Sequence, residues 1–147
     1  MKIWTSYFYK VRFLSPNQIP VSTALWDPKW FHMSKGQNHK FVDKRGVLNG
    51  LRFEDLHPGK SCEGLCRGKP CEYSPDSCRF MENYRNQIFS LDRANVMSRL
   101  AAAADKVKTA LGFNEDPEIV LLVHEAPDNA CSERKVLQEF FACDELP

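Results

Sequence analysis

The run Ile119-Val120-Leu121-Leu122-Val123 constrains the fold most. Five consecutive large apolar side chains, three of them β-branched, leave no polar face, so a strand made from them must be covered on both sides. The segment Glu118 to His124 is bounded by a turn at Asn114 to Pro117 and a loop at Ala126 to Ala130, which suits a strand and is short for a helix. A strand of this kind belongs inside a parallel sheet with layers packed against its two faces.

The remaining segments fit that frame. Met1 to Phe8 carries Ile3, Trp4, Tyr7 and Phe8 and reads as a first strand, followed by a short turn over Tyr9 to Leu14. Ile19 to Leu25 reads as a second strand, with Pro20 pointing to a strand start or an edge. Residues His32 to Leu56 are polar and mixed and contribute little core. Phe80, Tyr84, Ile88 and Leu91 form a helical stripe within Asp76 to Leu91. Asp92 is placed to cap a second helix, whose inward face is Val96, Leu100, Ala103, Val107 and Leu111 and which Gly112 ends. Ser132 to Ala142 reads as a last helix, with Val136, Leu137, Phe140 and Phe141 inward. The expectation is a single α/β domain over residues 1–147: small, three-layered, with a mainly parallel sheet and a cysteine-rich irregular insertion.

Charge narrows the partners. Twenty Lys and Arg stand against 19 Asp and Glu, which argues against nucleic-acid binding by bulk electrostatics and leaves room for a local patch. Lys35, Lys40, Lys44, Arg45, Arg52, Lys60, Arg67 and Lys69 make residues 35–69 locally basic, a run that suits nucleic acid and equally suits a solvated face. No stretch approaches the roughly 20 apolar residues of a membrane span, and the first residues lack the apolar core of a secretory signal. A cytoplasmic protein with no membrane partner is expected.

Cys62, Cys66, Cys71 and Cys78 fall in one short segment, spaced Cys-x3-Cys-x4-Cys-x6-Cys among Gly and Pro residues that exclude regular structure. A loop unable to bury much apolar surface is held readily by a metal, and four thiolates complete a tetrahedral zinc shell. An iron–sulfur cluster is the alternative, and His57 can stand in for one cysteine. Residues 57–78 are therefore expected to form a metal-bound loop. Reduced, scattered thiols are the plain alternative.

In a parallel sheet, ligands gather outside the carboxyl ends of the strands, near helix N-termini. The segment Val123 to Arg134 occupies that position. A helix starting near Ser132 offers free backbone N–H groups, which favour an anion or a thiolate at Cys131. Arg134 can add a bidentate fork, and Glu125 can accept a proton or a ribose hydroxyl. In the plainer reading Ser132 only caps the helix, Glu133 complements its dipole, and Arg134 pairs with a carboxylate. His124 reads as structural.

Several of these residues, in this order, resemble domain-of-unknown-function family 488. They are Ser6-Tyr7-Phe8, Arg12, Ile19-Pro20-Val21-Ser22-Thr23-Ala24, Pro28-Lys29-Trp30-Phe31, and the ending Leu121 to Glu125 with Cys131 and Arg134. The family occurs in bacteria, archaea and phages. Ser132-Glu133 stands where its common form has one histidine between the cysteine and the arginine, as in a phage- and plasmid-associated branch that shares the cysteine-rich insertion. The resemblance implies a compact α/β fold and no established catalytic residues.

The resulting expectation is a protein that binds or processes a nucleotide, nucleic acid or other anionic ligand, in a pocket lined by Arg12, Ser22, Glu125, Cys131, Ser132 and Arg134. Tyr7, Trp26 and Trp30 would stack on its ring. Two alternatives stand beside it. One is a thiol-dependent enzyme with Cys131 as nucleophile and Glu125 or His124 as proton acceptor. The other is an interaction protein, encoded by a phage or mobile element, acting on a host partner.

Overall fold

A computed structural model describes residues 1–28, 31, 50–62, 78–127 and 132–147. Among these residues five strands form one sheet: β1 (Lys2–Tyr7), β2 (Gln18–Ser22), β3 (Leu51–Arg52), β4 (Glu118–Val123) and β5 (Asp144–Glu145). Their order is β3-β2-β4-β1-β5 and every pairing is parallel. The fully apolar strand β4 sits at the centre, and its residues Ile119 to Val123 have essentially no exposed surface.

Alternation along the strands separates two cores. Ile3, Ile19, Val21, Ile119, Leu121 and Val123 face the helices α1 (Arg79–Phe89), α2 (Arg93–Leu111) and α3 (Arg134–Phe141). Val120 and Leu122 face the other way, against Phe8, Val11, Ala24 and Phe31. Among the described residues, all three α-helices thus cover one face, and the second face is covered by a 3-10 segment, Phe8–Phe13, and the chain around Ala24 and Phe31. Among the described residues, no helix is long and apolar enough to cross a membrane.

This distribution follows from the handedness of parallel connections. The chain moves one way across the sheet from β1 to β2 and β3, and returns from β3 to β4 and β5. Right-handed crossovers put the outward and return connections on opposite faces. The exits of β1 and β2 therefore diverge from that of β4 at their carboxyl ends. Such a divergence opens a crevice where ligands collect in open α/β sheets.

Local chemistry sets the boundaries. The Asp92 carboxylate accepts from the Asn95 N–H at 3.2 Å and caps α2, and Gly112 at φ 74° ends it in the left-handed region. Pro20 lies within β2 rather than at its start. β3 pairs only with Val21 and Ser22, so the flank of Pro20 turned toward Gly50 has no ladder partner for the missing N–H to disrupt. Gly50 is required there, because a Cβ on it would lie 2.3 Å from the Pro20 carbonyl oxygen.

Candidate functional site

Three groups of side chains stand at the carboxyl edge of the sheet. The first joins the end of β4 to the start of α3. Arg134 is buried, and its guanidinium donates through Nε to Glu145 at 2.5 Å, and to the carbonyls of Ala126 at 3.2 Å and Glu125 at 2.7 Å. Glu145 also accepts from the Thr5 hydroxyl at 2.8 Å, and Gln138 donates to that same hydroxyl. Arg134 is thus a clasp between β1, β5 and the loop after β4. The Ser132 hydroxyl donates to Glu125 at 3.2 Å and accepts the Arg134 backbone N–H. Glu133 is 7% exposed, and its burial, with the Glu125 carboxylate beside it, pushes its own carboxyl up to about 8. Its charge also reaches Tyr84 and Cys62, so it faces the helix-side core.

The second group is aromatic. Arg12 is exposed and lies over the Tyr9 ring at 4.7 Å, while Tyr9 stacks on Tyr7 and contacts Phe13. Tyr9 and Phe13 are themselves exposed, at 56% and 65%. Trp26 is 75% exposed, yet its backbone is fixed on both sides. The carbonyl of Leu25 accepts from Arg52, the carbonyl of Trp26 accepts from His124 Nε2, and the Asp27 carboxylate takes Arg52 at 2.9 Å. His124 therefore carries its proton on Nε2, with its ring packed on Phe8 at 4.8 Å.

The third group lies at the ends of β2 and β3. Ser22 donates to Asp27, Asp27 pairs with Arg52, and Arg52 contacts His57 Nδ1 at 2.7 Å. Burial lowers the pKa of His57, and the Arg52 charge adds to the effect.

The six residues expected to share one pocket are thus distributed. Glu125, Ser132 and Arg134 stand together, Ser22 belongs with Asp27 and Arg52, and Arg12 stands with Tyr9. Cys131 and Trp30 lie outside the described residues, as do Cys66 and Cys71 and most of the basic run over 35–69. Cys62 and Cys78 are buried free thiols. Cys62 closes a 3-10 turn, Lys60–Cys62, and Cys78 is the N-cap of α1. Asn83 of α1 donates to the Ser61 carbonyl at 2.6 Å and ties the two elements together.

Sequence reasoning did not single out Glu133, Arg52, Asp27 or Glu145 for the roles they hold. Glu133 had a local signal, since it adjoins Ser132 at a helix start. Arg52 and Asp27 are 25 residues apart and had none. Compared with known proteins, the chain matches no protein family, no curated protein and no solved structure.

Proposed function

We propose that this protein binds a nucleotide or a single-stranded nucleic acid at the carboxyl edge of its sheet, by stacking bases on exposed aromatic rings. The observation that carries this reading is Trp26: a large ring left open to water on a backbone pinned by Arg52 and His124. Exposing an indole forgoes its burial free energy, while pinning its backbone removes the backbone part of the entropic cost of ordering it on a ligand. Arg12 on Tyr9 offers a second platform carrying a cation for phosphate. Arg134, engaged by Glu145 and two carbonyls, serves the edge as scaffold in this reading. The resemblance to domain-of-unknown-function family 488 adds only a bacterial or phage setting.

Short oligothymidylate is expected to quench Trp26 fluorescence, and Trp26→Ala to weaken binding about tenfold or more, since a stacked base contributes about 1–3 kcal/mol. Affinity should fall as salt rises. An oligonucleotide that leaves the emission of the wild type unchanged at low ionic strength removes the proposal.

We further propose that Cys62, Cys66, Cys71 and Cys78 hold one zinc ion, or alternatively an iron–sulfur cluster. The burial of Cys62 and Cys78 on two touching elements supports it, because the loop then starts and ends at one place. Purified protein is expected to carry about one equivalent of zinc, or about two to four of iron for a cluster, and to lose the metal in Cys62→Ser. Less than about half an equivalent of zinc and iron, with all the thiols titratable, rejects the assignment.

A further inference from the structure

His57 is held with unusual care for a histidine with no assigned task. Three side chains of α1 clamp the backbone around it: Tyr84 donates to the Leu56 carbonyl at 2.6 Å, Gln87 to the His57 carbonyl at 2.5 Å, and Asn83 to the Ser61 carbonyl. Gln87 also accepts the Gly59 N–H at 2.7 Å. From the sheet side, Arg52 places one nitrogen, Nη2, on both His57 Nδ1 and the Leu25 carbonyl, the residue before Trp26. A guanidinium has only donors, so Nδ1 must accept and the proton of the neutral ring sits on Nε2. That Nε2–H is buried and, among the described residues, has no partner, in a residue only 6% exposed. A buried donor left unmatched loses its hydration without a return, and native proteins leave few.

We propose that His57 Nε2–H is a recognition donor for an uncharged carbonyl oxygen of the bound ligand, the keto group of a nucleobase. This inference rests on the stacking reading and names what the site selects. A metal ion does not fit, because it would need the Nε2 lone pair and force an Nδ1–H against the Arg52 donor. An anion does not fit either. The Arg52 charge is already matched by Asp27 at 2.9 Å and by Glu54 at 3.5 Å. A neutral acceptor satisfies the donor without adding charge. Because Nε2 is closed to solvent, the acceptor enters with a local displacement of the chain.

The test is a titration of the wild-type protein with short oligothymidylate and with short oligodeoxyadenylate, whose base has no keto oxygen. Trp26 fluorescence reports binding, and nitrogen-detected spectra report the His57 ring. A preference of about tenfold for oligothymidylate, with the Nε2–H resonance moving only in its presence, is the expected result. His57→Leu should erase the preference. His57→Gln, whose amide can both accept from Arg52 and donate, should keep part of it. Equal affinities, or an unmoved His57 signal while Trp26 is quenched, overturn this inference and leave stacking intact. Quenching by neither oligonucleotide overturns both. A persistent contact between Nε2–H and water, in free and saturated protein alike, shows a buried water as the partner and overturns the inference alone. Where His57→Leu does not fold, the wild-type spectra decide.

Discussion

Arg134→Ala is expected to destabilise the protein by about 3–5 kcal/mol, the range for removing one partner of a buried ion pair. The loss is large because one guanidinium matches three acceptors on two separate pieces of chain. It neutralises Glu145 and satisfies the carbonyls of Glu125 and Ala126. Without it the Glu145 carboxylate stays beside Thr5 with its charge uncompensated. Domains of this kind have a total stability of only about 5–15 kcal/mol, so much of the folded margin goes. Arg134→Lys keeps the charge but not the fork, and should fall between the two. Urea denaturation measures the loss, and amide exchange at Thr5 and Leu146, joined by a 2.8 Å backbone bond, locates it. A loss below about 1 kcal/mol, the usual value of an exposed pair, would mean that the clasp is dispensable.

Glu133→Gln is expected to stabilise the protein near neutral pH and to flatten its dependence on pH. The folded carboxyl titrates near 8 and the unfolded one near 4.5. Between these values the native chain keeps a proton that the unfolded chain releases, so stability falls as pH rises through the window and levels off above it. A proton held across one pH unit corresponds to about 1.4 kcal/mol, so the penalty at pH 7 is on the order of 3 kcal/mol. Burial is the main cause, the Glu125 carboxylate adds to it, and Arg134 offsets part of it. Glutamine keeps a donor toward Glu125 and does not ionise. Denaturation midpoints between pH 5 and pH 8 check the prediction. The same slope in wild type and variant would show that another group governs it.

Arg134 and Glu133 also mark what the sequence could and could not disclose. β4 was legible because an unbroken apolar run admits few environments. The stripe of α1, the Asp92 cap and the Gly112 stop were legible because each is a local signal; in α2, Val96, Leu100 and Val107 face inward as expected, but Ala104 takes the place of Ala103 and Leu111, in the last turn, is exposed. β3 and β5 were missed, and each is only two residues long. Leu51-Arg52 lies in a polar stretch, and Asp144-Glu145 carries no β-forming side chain; both are strands only because a neighbour offers a ladder. The site divides in the same way. The carboxyl edge followed from topology, and Ser132 and Glu125 from their place in the loop. The partner of Arg134 did not, because Glu145 reaches it only through β5 and Thr5. The link from Asp27 to His57 depends on β2 and β3 lying side by side, which no spacing in the chain encodes.

The tapering of the sheet has a consequence for behaviour in concentrated solution. Among the described residues, the outermost strands on both sides present two residues each, and one of them is Asp144-Glu145. A foreign chain seeking a template would find a few backbone groups and repelling carboxylates, too little to seed cross-chain pairing. The long apolar centre, the segment most prone to fibril formation if bared, is itself paired on both sides, by β1 and β2, and offers no free edge to a copy.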